Sequence, residues 1–379
     1  MDPRSACRES CAQCLAASGI AIDDAAIDRY ILKIERNDWD AHADQHGVRW
    51  PLQFDSLDDE LSLLATLALL NFLSGYRLAL HRLTGRGAYS TILSLVLSAY
   101  LSSSPASDAA ALSAEWMLSI TAPQLAELAQ IRTHTEEPHP TLGNAVRVGV
   151  QDPDAAEILA LLVGVLHETG EILRARGQAS LGTWLREVLE RQAGDGAGVV
   201  RELSETFPAF RDVHAIDGSP PVVLLKKAFW LVTILEARFR PRQGDPAPPL
   251  TPPSTAGFPV FADNVLPSML LHHGILSLSR ATDPDLRALD LSDEGTLDLR
   301  SEAATKLRAA AVHACARIVG RAQELARQVE GAGAGAQEVE RGWLAGWTEP
   351  KLDAWMWNEA KREGTRDVGR VAERGTVYY

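Results

Sequence analysis

Positive charge is what this chain has too little of. Its 37 lysines and arginines face 50 aspartates and glutamates, a net charge of −13, so no global basic field exists to hold a nucleic-acid backbone. An anionic ligand would need a local cluster of lysine or arginine. Cysteine is also scarce, with four in 379 residues, which suits a reducing compartment. The most apolar segment, Leu61 to Tyr76, lacks charge but is short for a membrane span. Asn71, Ser74 and Gly75 interrupt it, so it reads as a buried helix. Asp2, Arg4, Arg8 and Glu9 at the N-terminus, with no long apolar stretch behind them, do not read as a secretory signal. The expectation is a cytoplasmic protein with no membrane partner; oligomeric state is left open.

Alternating strand patterns are nearly absent too, Gly143–Val150 being the best short candidate. What is present is helical periodicity. Apolar residues recur at three and four over Arg4–Ala17, Leu57–Tyr76, Tyr89–Leu101, Ala155–Arg176, Leu181–Gln192, Leu224–Phe239, Val265–Leu278, Ser301–Gln328 and Pro350–Arg362. The pattern predicts a mainly α fold. Apolar content of 46% and charged content of 23% are ordinary for a globular chain. The breaks are loops rather than linkers: six prolines crowd Pro241–Gly257, and Gly331–Ala336 alternates glycine and alanine without the Gly-Lys-Ser/Thr ending of a phosphate-binding loop. One domain over 1–379 is expected, with surface insertions near 240–257 and 329–338.

Metal-ligand spacing is weak. His272 and His273 are adjacent and cannot share a helical face, while His42 and His46 lack an intervening HExxH-type acid. Cys7, Cys11 and Cys14 have a C-x3-C-x2-C spacing used for iron–sulfur clusters. Only six residues precede Cys7, however, where that cluster loop needs a preceding strand. Positions i, i+4 and i+7 simply line one helix face, so buried packing is expected. No metal and no cofactor is expected.

Two carboxylates stand out. Asp353, in Leu352-Asp-Ala-Trp-Met-Trp357, follows the helix start Thr348-Glu349-Pro350 and shares a face with Trp357, while Trp355 points away. Asp263, in Phe261-Ala-Asp-Asn264, precedes a helix with Pro267 in its first turn. Each is either a helix-terminal group complementing backbone dipoles or a carboxylate kept for chemistry. A third feature is the Lys226-Lys227 pair inside an apolar run, downstream of Phe207-Pro-Ala-Phe210-Arg-Asp212. Helix geometry turns the two lysines about 100° apart, so one is expected to face solvent and the other to reach inward. An inward lysine needs an anion, from a protein carboxylate or a ligand phosphate. Nine tryptophans against eight phenylalanines, four of them between Trp343 and Trp357, suggest an aromatic core near the C-terminus.

In this order the segments resemble the queuosine salvage family, the queuosine 5′-phosphate N-glycosylases. Phe207–Asp212 matches a Phe-Pro-x-Phe-Arg-Asp segment, Lys226-Lys227-Ala228 a Lys-(Lys/Arg)-Ala segment, Phe261–Asp263 a Phe-Ala-Asp segment, and Leu352–Asn358 an Ile/Leu-Asp-x-x-Leu-Trp-Asp segment. Leu69–Phe72 stands at a Leu-Asn-Phe helix and Ser5–Ile22 at the first helix and turn. Asn358 replaces an aspartate, Gly75-Tyr76 a Phe-Trp pair and Asn264 a common tyrosine, which points to a divergent branch of fungal type. The resemblance implies a single helical domain similar to helix-hairpin DNA glycosylases, acting on a free nucleotide and not on polymeric nucleic acid. It implies hydrolysis of the N-glycosidic bond of queuosine 5′-monophosphate, releasing queuine. The alternative is a queuine- or nucleotide-binding protein of the same fold without turnover. Asp263 and Asp353 would be catalytic, Lys226 would hold the 5′-phosphate, Phe261 and Trp357 would sandwich the base, and Asn264, Asn358 and Phe210 would complete the binding site. His42, Arg49 or Trp50 would close the pocket.

Overall fold

Helix starts in this chain are set by short polar side chains. Asp2, Asp23, Ser113, Asp152 and Thr348 each precede a helix and accept an N–H from its first turn, which satisfies a donor that has no partner within the helix. Prolines follow in the first turns at Pro3, Pro153 and Pro350, where no intrahelical donor is needed. The resulting fold, in the computed structural model, is mainly α with a few short strands. The structure describes residues 1–45, 52–102, 110–241, 244, 247–290, 296–331 and 341–379. Their contacts gather into two compact units, each assembled from separate stretches of chain.

The first unit comprises 1–51, 192–205 and 210–373. Its axis is the helix Ser301–Gly331, against which pack the helices Pro3–Ser18, Val265–His272 and Glu349–Glu359. The buried stripe of the long helix is rich in alanine, including Ala304, Ala311, Ala322 and Ala326, so neighbouring backbones can approach closely. Cys7, Cys11 and Cys14 do line one buried face of Pro3–Ser18. The Cys7 and Cys11 Sγ atoms lie 3.9 Å from the carbonyls of Leu224 and Val223, beside the hairpin Val213–Ile216/Ser219–Val223. Burial pushes the Cys14 thiol up to about 11, and the contact with Cys7 together with burial raises Cys11 well above the ordinary thiol range. All three are buried packing residues, and the raised Cys11 and Cys14 thiols are not reactive thiolates. Gly19 ends the first helix in the left-handed region at φ 69°, and a Cβ there would overlap the Arg280 carbonyl.

The expected helix Val265–Leu278 ends earlier, at His272. Gly274 takes φ +68°, and the Ile275 N–H turns back to the Leu270 carbonyl at 2.9 Å, a glycine-based C-terminal stop. The next residues, Leu276–Ser277, pair antiparallel with Ala21–Ile22. Of the two insertions, 240–257 is described except for 242–243 and 245–246. The other lies outside the described residues from 332 on.

The second unit comprises 52–191, 206–209 and 374–379. The helix expected over Leu57–Tyr76 is broken. It runs Leu57–Leu69, and a 3-10 turn at Leu73–Tyr76 leads into Arg77–Thr84, with a bend of 62°. Asn71 and Gly75 propagate a helix poorly, and the Asn71 N–H already turns back three residues to Ala68 O at 3.2 Å. Every residue from Leu61 to Leu69 is buried, as in a core helix. Among the described residues no single helix is long and apolar enough to cross a membrane, and this bent pair qualifies only by length and composition. The helices Ala88–Leu101, Pro153–Ala175 and Leu181–Gln192 appear where expected. The strand Gly143–Gln151 pairs with His134–His139.

Two glycines of this unit make opposite demands. A Cβ on Gly182 would overlap Asp58 O and Ser62 Oγ, whereas Gly164 is exposed with nothing within 4 Å. Gly182→Ala should therefore destabilise by roughly 1–3 kcal/mol through overpacking, and Gly164→Ala should stabilise by about 0.5–1 kcal/mol through helix propensity. Thermal melts of the two variants should move in opposite directions from the wild type.

Candidate functional site

Asp212 follows the 3-10 turn Pro208–Phe210 and is 1% exposed. An ionised carboxylate so deep must be paired and hydrogen-bonded. Its oxygens accept Arg308 NH1 at 3.1 Å and NH2 at 2.6 Å, His214 Nε2 at 2.6 Å and the Lys226 N–H at 3.2 Å. Burial pushes this carboxyl up, but Arg308 and His214 outweigh it and hold it well below the usual carboxylate range. Arg308 has no solvent exposure and turns its Nε–H to the Ala262 carbonyl at 2.8 Å. Arginine only donates and an ionised carboxylate only accepts, so the Nε2 of His214 carries the proton donated to Asp212. The 3.3 Å approach of Arg308 NH1 to that nitrogen is then a contact between two donors.

Lys226 begins the helix Lys226–Phe239, entered through Leu225 in the left-handed region at φ 53°. All ten residues from Lys226 to Leu235 are buried, so the expectation that one of the two lysines faces solvent is corrected: both are inside. The helix is covered on every side, and periodicity cannot reveal that. The Lys226 Nζ lies 3.5 Å from Asp263 Oδ2. Burial lowers its pKa and Asp263 partly restores it. Lys227 is driven lower still, by burial and then by Lys226, and its Nζ sits 5.7 Å from the Phe210 ring centre.

Asp263 accepts the Val265 N–H at 2.8 Å, the first donor of the helix Val265–His272, with Asn264 in the cap position. It therefore serves the helix terminus, yet 15% of its side chain stays exposed. Asp353 does not complement its own helix. It reaches across to accept the Phe261 N–H at 2.8 Å. Burial raises its carboxyl well above the ordinary range and Asp263 raises it further, while the Phe261 N–H and Lys226 oppose them. Four residues earlier on the same helix, Glu349 pairs with Arg8 at 2.6 Å, and burial raises its pKa as well.

The structure thus brings Lys226, Phe261, Asp263 and Asp353 together, with Asn264 buried beside them. Trp357 is half-buried, with the Lys361 Nζ 3.1 Å from its ring centre; burial lowers that lysine to about 8. Asn358 directs its amide to Ala354 O at 2.8 Å and His42 O at 3.5 Å. Phe210 lies in the core under Lys227. Trp355 points away as expected, donating to the Tyr30 hydroxyl at 3.1 Å near Trp39, which stacks on Trp347 at 3.9 Å. Arg49 and Trp50 lie outside the described residues. Sequence reasoning assigned nothing to Arg308 or His214, and read Asp212 only as the end of the segment Phe207–Asp212. The legible signal was an arginine on the apolar stripe Ala304-Arg308-Ala311-Cys315 of the long helix.

The Asp353 environment carries a pH signature. A carboxyl with a raised folded-state pKa binds more protons folded than unfolded between the two pKa values, so its contribution to stability is full below the unfolded value near 3.8 and is lost as pH rises. Asp353→Asn removes that loss while keeping an acceptor for Phe261. The melting temperature of this variant relative to wild type should rise as pH climbs above 4, and a flat difference would refute the raised pKa.

The family model described as queuosine salvage protein matches residues 91–379, well over half of the chain and inclusive of Asp212, Lys226, Asp263, Arg308 and Asp353. No curated protein matches the chain. On this match, the chain belongs to the queuosine salvage protein family.

Proposed function

We propose that this protein hydrolyses the N-glycosidic bond of queuosine 5′-monophosphate, releasing queuine for salvage. The observation that carries the reading is the unequal carboxylate pair beside a buried lysine. Asp263 stays partly exposed and ion-paired, and Asp353 has its carboxyl pushed up by burial and by Asp263. A carboxyl raised in this way suits the role of acid, and the ion-paired, partly exposed Asp263 suits that of charge stabiliser.

As the bond from the base nitrogen to C1′ breaks, its electron pair leaves with the base and positive charge develops on the ribose. A preorganised carboxylate stabilises that charge, and Asp263 is the group in reach of solvent and substrate. Water adds to C1′ and passes its proton to the Asp263 carboxylate, giving ribose 5-phosphate, while the departing base takes a proton from Asp353. The departing 7-deazaguanine has no N7 to protonate, so help must come through another polar atom of the ring; Asp353, kept protonated above the ordinary carboxylate range, supplies a donor. Lys226 is 4% exposed on its side chain and sits 3.5 Å from Asp263. This geometry favours fixing that carboxylate over reaching outward to a phosphate. Trp357 stacks on the base, and Lys361, which now lies over the ring, yields its place. The substrate is a free nucleotide, consistent with the acidic chain.

The test is release of queuine from queuosine 5′-monophosphate by wild type and Asp263→Asn at equal folded concentration. Wild type should release the base, and the variant should lose on the order of 10³ in rate, the scale of one removed charge-stabilising group. Thermal stabilisation by the nucleotide without any release would instead identify a binding protein.

A further inference from the structure

We infer that the buried Asp212–Arg308 ion pair, with His214, is the positioning device that sets the Lys226–Asp263 pair; the inference rests on the hydrolase reading above and adds residues to it. The three segments involved lie far apart in sequence and meet at one guanidinium. Arg308 presents NH1 and NH2 to the two oxygens of Asp212 and its Nε–H to the carbonyl of Ala262, the residue before Asp263. Asp212 in turn accepts the main-chain N–H of Lys226. The Lys226 Nζ and Asp263 Oδ2 then meet at 3.5 Å, closing a ring of contacts from Arg308 through Asp212, Lys226, Asp263 and Ala262 back to Arg308. Each member of the reactive pair is therefore tied, by its own backbone or its neighbour's, to the same rigid plane.

Stability alone does not call for this arrangement. Burying a charge pair in place of apolar side chains of similar volume is often neutral or unfavourable, and Arg308 stands on a stripe otherwise filled by alanine and cysteine. The fork geometry supplies fixed spacing. A guanidinium holds its donors in one plane at set angles, which a lysine ammonium cannot reproduce. His214 completes the device by donating Nε2–H to Asp212 Oδ1 at 2.6 Å, which fixes the carboxylate plane from the side. Arg308 and Asp212 are positioning residues, since neither is exposed enough to touch substrate.

The experiment is Arg308→Lys, which keeps the charge beside Asp212 and loses the fork. Turnover of queuosine 5′-monophosphate is measured per folded molecule, together with amide hydrogen exchange at Phe261 and Val265. The expected result is a kcat lowered on the order of 10²-fold, the usual scale for a reactive group misplaced by about 1 Å, with KM within about threefold and faster exchange at both amides. Unchanged kcat per folded molecule would overturn the proposal even if the melting temperature fell. If wild type itself releases no queuine, the hydrolase reading fails separately and exchange decides: acceleration at Phe261 and Val265 supports the positioning role, and unchanged exchange overturns it. Should Arg308→Lys not fold, the double variant Asp212→Asn with Arg308→Gln, which leaves no lone buried charge, is read in the same way.

Discussion

A full positive charge sits at Arg308 with no exposure to solvent, and the arrangement of the first unit around it follows from that constraint. A buried guanidinium needs a carboxylate and further acceptors, and removing one partner of such a pair costs about 3–5 kcal/mol because the other charge is left stranded. Asp212 and the Ala262 carbonyl meet the need. In doing so they bring together the hairpin entry at Asp212, the helix beginning at Lys226, and the segment that ends in Asp263. The long helix Ser301–Gly331 acts as the post to which those segments are fastened. Its alanine-rich face lets them come close enough to be reached by one side chain.

From that arrangement the chemistry of the candidate site is a matter of graded burial. Asp212 is sealed, and Arg308 together with the His214 hydrogen bond holds its carboxyl well below the usual carboxylate range. Asp353 is held by a single backbone N–H and lies near a second carboxylate, and its carboxyl is pushed up. Asp263 lies at the edge, bonded to the first donor of a helix and to Lys226, with part of its surface open. Three aspartates of one sequence type thus occupy three electrostatic situations. Asp263 and Asp353, which are less deeply buried than Asp212, are the two that the proposed hydrolysis would use.

Much of the helical framework was legible, because caps and periodicity are local. Thr348 marks its helix start in the sequence and caps it in the structure. The break after Leu69 and the early stop before Gly274 were not read, although Asn71, Gly75 and Gly274 were visible. A periodic apolar run extends through weak helix residues on paper, whereas backbone geometry does not. Asp263 and Asp353 could be singled out because they stand among apolar neighbours near helix starts. Their mutual influence is a tertiary fact across some ninety positions of chain. The Lys226-Lys227 pair misled, because a helix buried on all sides offers no solvent face to sort its residues. Arg308 was missed for the converse reason. Amid the many charges of the long helix, one arginine on the alanine stripe looks like any other until its partners, about fifty and a hundred residues away, are known.

The central claim is that the segment from Phe261 to Val265, fixed by Arg308, presents the Asp263 carboxylate to the glycosidic carbon of a nucleotide while Asp353 attends the base. The most direct measurement is a crystal structure of the Asp263→Asn variant with queuosine 5′-monophosphate bound. The account predicts C1′ within van der Waals reach of the residue 263 side chain, with a polar atom of the base within hydrogen-bond reach of Asp353. A nucleotide bound with its C1′ remote from residue 263, or with its base on the far side from Asp353, would contradict it.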